Sequence, residues 1–306
     1  MKLRQAERKR CKIKMGLFGP AGSGKTYSAL LAAYGLVGDW KKIAVICTEP
    51  TANNGQAADL YSHLGPYQVL PLGAPYEPER FTNAIWTCEQ AGMEAIIIDS
   101  ISHEWEGEGG LLEISNKMTG NSFSNWDVLG KRHKKMVNKI LVSPAHIIIC
   151  GRTKTEYILE ENDKGKMAPR KVGTKVITRE GFEYEVTLAF ALDHAHFATC
   201  DKDRTGLFMD EPPFQISIET GKKISEWCDS GAAQEIAQAQ EAEAKEPICT
   251  KESLRQALDA ERTNRGLTWP EVFSETGVTL TKESTLGELE EALNILMAST
   301  NSQSGQ

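Results

Sequence analysis

Residues 19–26 read Gly19-Pro20-Ala21-Gly22-Ser23-Gly24-Lys25-Thr26, which is G-x-x-x-x-G-K-T, the spacing of a phosphate-binding loop. An apolar run at 13–18 precedes it and predicts a buried strand. Residues 27–36, rich in Ala and Leu, predict a helix. Strand, glycine-rich loop and helix in that order are what the motif needs. The glycines let successive main-chain N–H groups turn toward phosphate oxygens. The helix start adds its positive dipole end. Lys25 is placed to reach the outer phosphates of ATP, and Thr26 to hold Mg²⁺. With Tyr27, these residues are the candidate nucleotide contacts.

Working outward, residues 42–48 form a second apolar run ending at Glu49. A carboxylate at the end of a parallel strand beside such a loop lies in the ligand crevice of an open α/β sheet. Glu49 there can orient and deprotonate a water, or it can be a strand-end acid in solvent. A helix near 55–64, a strand at 68–72 and a helix at 79–92 follow. The run 94–98 then ends in Asp99-Ser100, the Walker B pattern, and makes Asp99 the second metal candidate. Two predicted strands separate the loop from Asp99, which suits the additional-strand P-loop ATPases. Residues 145–150 predict another buried strand, leading into Arg152, a candidate sensor of the γ-phosphate. The fold expected is α/β: a P-loop NTPase core around a central, mostly parallel sheet.

The chain has 306 residues, enough for one large core and an appendage. No apolar stretch approaches the roughly 20 residues of a membrane span. The basic start, 1–14, lacks the apolar centre of a signal peptide. Seven scattered cysteines without a C-x-x-C pair read as reduced thiols, not as a zinc site or a disulfide framework. The net charge of −7 comes from residues 231–306, which hold 6 Lys/Arg and 13 Asp/Glu; residues 1–230 hold 29 of each sign. An acidic total therefore says little against nucleic-acid binding by the core.

Several basic clusters stand out in that neutral core. Lys2, Arg4, Arg8, Lys9, Arg10, Lys12 and Lys14 are a solvated leader or a basic arm. Residues 101–110 are polar and acidic, and Trp105 there either stacks on a base or packs the loop. Helices are predicted at 111–118 and 126–142, the second carrying Lys131, Arg132, Lys134, Lys135 and Lys139. Residues 154–179 form a long polar segment with Lys164, Lys166, Arg170, Lys171, Lys175 and Arg179. It reads either as a phosphate-backbone-binding loop or as a lysine-decorated β-hairpin. Strands at 183–192 and 195–200 lead to Lys202-Asp203-Arg204-Thr205-Gly206, a tip that offers two cations, Lys202 and Arg204, to a neighbouring subunit's site. A strand at 214–218 and a helix at 222–229 close the core, 1–230.

Residues 231–249 are rich in Ala, Gln and Glu and predict a helical, flexible linker. Leu254, Leu258, Trp269, Val272, Phe273, Leu286, Leu289, Leu293 and Leu296 then recur at helical spacing. They predict a small acidic helical domain at 250–298 that binds a protein partner, with a disordered tail at 299–306.

The order of these parts resembles the RecA-like core ATPases over 19–114, with Glu49 at the family's catalytic glutamate and Asp99 at its Walker B. Arg152 stands where those proteins carry a glutamine, and 154–179 falls at their second DNA-binding loop. Lys202–Gly206 resembles a K-N-R-F-G motif, with Asp and Thr departing from it. More narrowly, I-D-S-I-S-H-E-W-E-G, R-T-K-T-E-Y and K-D-R-T-G-L-F resemble phage nucleotide-binding AAA-type proteins over residues 12–229. Some of those are minimal RecA-core single-strand annealing recombinases. The resemblance implies ATP and Mg²⁺, single-stranded DNA, a homo-oligomeric ring or filament, a single-strand binding protein as partner, and a cytoplasmic place in a bacterial host. The rival reading is a nucleotide-gated adaptor or loader that holds a replication partner without handling DNA.

Overall fold

The apolar runs at 13–18, 42–48, 94–98 and 145–150 have no polar face, so each needs cover on both sides. They meet that need as one sheet with helices on both faces. A computed structural model describes residues 5–51, 55–161 and 167–231, together with 255, 258, 259, 262, 263, 267–277, 284 and 292; side chains are described there except at 155–173, 273 and 275. The strands are β1 (Lys14–Gly19), β2 (Ile43–Cys47), β3 (Gln68–Pro71), β4 (Ala95–Asp99), β5 (His146–Glu161), β6 (Met167–Val176), β7 (Leu188–Leu192) and β8 (Ala198–Asp203). The helices are α1 (Lys25–Val37), α2 (Pro78–Gln90), α3 (Ser102–Glu106), α4 (Leu111–Lys117), α5 (Ser122–Val142), α6 (Ile218–Asp229) and α7 (Trp269–Thr276).

The sheet runs β3-β2-β4-β5-β1-β7-β8, with β6 paired to the far part of β5. The pairings from β3 across to β7 are parallel, and β8 closes the edge antiparallel to β7. All residues of β1, β2 and β4 are buried. Alternate side chains go to opposite faces. Ile97 and Ile148 join the core beneath α1 and α6, while Ile96 and Ile147 join the core beneath α2 and α5. On the first face α1 and α6 meet glycine to glycine. A Cβ on Gly35 would stand 2.1 Å from the Ile218 carbonyl oxygen, and one on Gly221 would stand 2.2 Å from that of Ala32. No larger side chain fits that crossing.

Sequence order and spatial order differ at one informative place. The two strands that separate the loop from Asp99 in sequence, β2 and β3, lie outboard of β4. The strand between β1 and β4 is β5, which comes about fifty residues later in the chain. The additional strand is therefore present, but it is not either of those two.

Two local expectations are corrected, and an open one is decided. Residues 102–106 of the expected polar loop form α3, with Glu104 fully buried and its Oε1 3.0 Å from His133 Nδ1 on α5. The helix expected at 55–64 is a 3₁₀ segment, Ala57–Leu64. Of the two readings of the long polar segment, the β-hairpin is the one found in its described part: β5 runs on past the sheet, and β6 returns on it from Glu161↔Met167 to Thr153↔Val176. Lys164 and Lys166 lie outside the described residues.

Lys14, counted by sequence with the basic arm, is 4% exposed. Its Nζ donates to the carbonyls of Ser143 and Ala145 at 2.8 and 2.5 Å, where α5 hands over to β5. Burial pushes its pKa down from 10.5 to about 7. The folded chain then holds fewer protons than the unfolded chain between those two values, so this lysine favours folding more as pH rises from about 7 to 10.5. Lys14→Met is expected to flatten that part of a melting-temperature series against pH. Other parts of the arm lie along the end of α6: the Arg8 guanidinium sits 5.0 Å above the Trp227 ring, and Cys11 N–H donates to the Cys228 carbonyl at 3.3 Å.

By contact, the chain divides into two units, Met1–Gln234 and Glu235–Gln306. In the second, Val272 of α7, Leu258 and Ala292 are buried. Thr268 N–H and Oγ1 both donate to Glu271 Oε2 at 2.7 Å, which caps the start of α7. The Arg262 guanidinium lies 5.1 Å from the Trp269 ring centre. The linker expected beyond Gly231 and the tail at 299–306 lie outside the described residues, as do the leucines at 286, 289, 293 and 296. Among the described residues no helix is long and apolar enough to cross a membrane, and the six described cysteines are free thiols.

Candidate nucleotide site

Parallel register gathers the site at the C-terminal edge of the sheet. Gly19 of β1 pairs with Arg152 of β5, Cys150 of β5 pairs with Asp99 of β4, and Asp99 pairs with Cys47 of β2. Glu49 follows Cys47 by two residues. Four segments from separate parts of the chain thus end on one line, with the phosphate-binding loop next to them.

The loop has the geometry of a cradle. Gly22 and Gly24 take φ values of 79° and 82°, which side chains resist, and a Cβ on Gly22 would meet nothing within 4 Å. Gly24 caps α1 without a side-chain acceptor. The first N–H groups of α1 therefore lack an intrahelical partner and are free to bind an anion. Ser23 Oγ is buried with no hydrogen-bond partner among the described residues. Lys25 is 9% exposed, and its ammonium donates to the carbonyls of Gly19 and Pro20 at 3.0 and 2.8 Å. Burial lowers its pKa, while the nearby Asp99 and Glu49 charges oppose that shift.

The two metal candidates meet directly: Thr26 Oγ1 donates to Asp99 Oδ2 at 2.5 Å. Burial raises the Asp99 pKa; the Thr26 bond counters it. Among the described residues no three His, Cys, Asp or Glu side chains gather as a metal cage. One hydroxyl and one carboxylate are hard oxygen donors of the kind Mg²⁺ takes when substrate phosphates and water supply its other ligands. The residues present fit that ion.

Glu49 and Arg152 are brought together as an ion pair, Arg152 Nη2 donating to Glu49 Oε1 at 2.5 Å. The Arg152 main chain is pinned as well, its N–H donating to Ser102 Oγ at 2.9 Å. Behind the pair lies a network that sequence reading missed. Thr48 Oγ1 takes the Ser100 N–H at 2.7 Å and stands 2.6 Å from His103 Nδ1. Tyr76 stacks on His103 at 5.0 Å, and its hydroxyl donates to the Thr48 carbonyl at 3.1 Å. Burial, then the Arg152 charge, pushes the His103 pKa down. In sequence His103 was one polar residue among many after Asp99, with no spacing to mark it.

A protein-family model described as an AAA domain matches residues 11–232. The chain belongs to that AAA-domain family. No curated protein matches it. An AAA domain is a nucleotide-binding, NTPase-type module, and its matched span holds the loop, Glu49, Asp99 and Arg152.

The remaining cations of the AAA domain are distributed unevenly. On α5, Lys131 pairs with Asp127 at 2.8 Å, Arg132 grips Glu79 through Nε and Nη2 at 2.8 and 2.6 Å, and Lys139 pairs with Glu89 at 2.6 Å. Much of that basic run is thus matched by acids. Trp105 lies against Trp126, ring centres 5.6 Å apart. On the hairpin, Arg170 and Lys171 sit on β6 opposite Ile158 and Tyr157, and Lys175 pairs with Glu180 at 3.0 Å. Arg179 turns inward against Gly130 of α5, with Nη1 buried and without a hydrogen-bond partner among the described residues. Lys202 and Arg204 both donate to the Tyr184 carbonyl. Asp203 stiffens their tip by accepting from the N–H groups of Thr205, Gly206 and Phe208 at 2.6, 3.0 and 2.7 Å. Asp203 pairs with Leu188, and Leu188 with Met15. The tip therefore stands at the end of the sheet away from its own phosphate-binding loop.

Proposed function

We propose that this AAA domain is an ATP-dependent recombination protein that binds single-stranded DNA and promotes strand annealing or exchange in phage DNA recombination or replication. The observation that carries the reading is the continuity of β5. One strand holds Arg152 against Glu49 at the nucleotide edge and then extends as the basic hairpin. In this reading Lys25 and the loop amides bind the phosphates, and Glu49 positions the attacking water. Mg²⁺ held by Thr26 and Asp99 would neutralise charge on the phosphate oxygens. Arg152 answers the γ-phosphate, and the basic segment 154–179, with Lys164, Lys166, Arg170 and Lys171 in its sequence, meets the DNA backbone. The position of Lys202 and Arg204 leaves them unable to serve their own site and supports a role in a neighbour's, within a ring or filament. A single-strand binding protein is the expected partner, in the cytoplasm of a bacterial host.

The test is ATP hydrolysis by the full chain without DNA, with single strands and with duplex, at low and moderate salt. Stimulation by single strands that fades with salt is expected, because phosphate contacts release counterions. Replacing Lys164, Lys166, Arg170 and Lys171 with glutamine is expected to remove that stimulation and leave basal turnover in place.

The second reading, a nucleotide-gated adaptor, is favoured by the acid-matched cations of α5 and by the separate unit at Glu235–Gln306. It expects turnover that no DNA changes, and no effect of the four glutamine substitutions.

A further inference from the structure

The β7–β8 turn, Asp193-His194-Ala195-His196-Phe197, belongs to no motif described above. β7 is the parallel neighbour of β1 on the side away from β5, so it ends beside the phosphate-binding loop opposite the Glu49–Arg152 pair. The approach is close: a Cβ on Gly19 would stand 2.6 Å from the Leu192 carbonyl oxygen.

The turn is held tightly. Asp193 Oδ1 accepts from the N–H groups of Ala195 and Phe197 at 2.9 and 2.8 Å. The Asp193 N–H donates to the Phe197 carbonyl at 3.0 Å, and the His196 N–H to the Asp193 carbonyl at 3.1 Å. These bonds hold His196 at φ 67°, and it is the one non-glycine residue with positive φ among the described residues. Glycine serves such a conformation without steric cost, so the backbone does not call for an imidazole. Packing does not call for one either, because His196 is exposed. What the ring does face is the phosphate-binding loop: Nδ1 lies 3.0 Å from where a Cβ on Gly24 would stand. A strained residue kept in place by its surroundings points to function.

We propose that His196 is a nucleotide-contacting residue, its imidazole donating to the phosphate chain of a nucleoside di- or triphosphate over Gly24. This inference rests on the nucleotide site of the AAA domain and adds a wall to it. β5 supplies Arg152 on one side of the loop, and the β7–β8 turn supplies His196 on the other.

The test is titration of the full chain with Mg²⁺–ADP, comparing the unaltered protein with His196→Gly and His196→Asn. Glycine relieves the left-handed strain, so His196→Gly is expected to melt no lower than the parent. Its Kd for ADP is expected to rise about tenfold, the effect of one hydrogen bond to a charged group. Asparagine tolerates the same backbone and carries an N–H donor, so His196→Asn is expected to recover part of the loss. The His196 ring resonances are expected to shift when ADP is added. Equal ADP affinity in His196→Gly and the parent overturns the proposal and leaves the nucleotide site standing. A weakened affinity with a lowered melting temperature and unshifted ring resonances assigns His196 to bracing the loop and also overturns it. Failure of the parent chain to bind ADP removes the site on which the proposal rests.

Discussion

Lys25→Met is expected to reduce ATP turnover by about 1,000-fold, the scale seen when a preorganised donor to developing charge is removed. The charge has been desolvated in advance. Lys25 is 9% exposed, and its ammonium rests on the Gly19 and Pro20 carbonyls at the mouth of the loop. A cation in a site shielded from water acts on a phosphate far more strongly than one in solvent. Methionine keeps the apolar stem and removes the charge, leaving two carbonyls without their donor. Loss of those bonds costs roughly 1–3 kcal/mol each if the carbonyls stay dry. The melting temperature must therefore be read beside phosphate release and nucleotide affinity. A folded Lys25→Met protein that turns over ATP within tenfold of the parent would remove Lys25 from the mechanism.

Glu49→Gln is expected to keep nucleotide affinity and lower hydrolysis by about 100- to 10,000-fold, the range attributed to a positioned general base. The amide still accepts a hydrogen bond from Arg152 but cannot take a proton from water. The two side chains are 37% (Arg152) and 34% (Glu49) exposed, and such partly solvated pairs contribute only about 0–1 kcal/mol to folding. The substitution should thus leave melting nearly unchanged and isolate the chemical step. Single-turnover phosphate release with saturating ATP, measured beside binding of a fluorescent nucleotide, separates the two effects. Undiminished release would place the base elsewhere, with the Thr48–His103 network next in line.

The loop was legible because its chemistry is local. Eight consecutive residues carry both the backbone freedom and the cation that phosphate binding requires, and the flanking runs announce strand and helix. Asp99 was legible for a similar reason, a carboxylate ending an apolar run. The basic hairpin was half legible: its charges were plain, but strand pairing between residues on either side of a turn competes with an open loop on energies that composition does not reveal. Lys14 was misplaced because the carbonyls that enclose it belong to residues about 130 positions later. His196 carried no signal, since its left-handed backbone and its approach to Gly24 exist only once β7 lies beside β1.

By itself, then, the sequence determined an α/β P-loop core and named Lys25, Thr26, Glu49 and Asp99 as its candidate site, because strand ends and a loop encoded within a few positions carry those residues. Only the tertiary structure decided that β5, rather than β2 or β3, separates β1 from β4, that Arg152 pairs with Glu49, and that the Lys202–Arg204 tip stands away from its own site. Those facts depend on sheet order and register, which arise from burying two apolar faces across the whole chain and leave no mark in any short stretch.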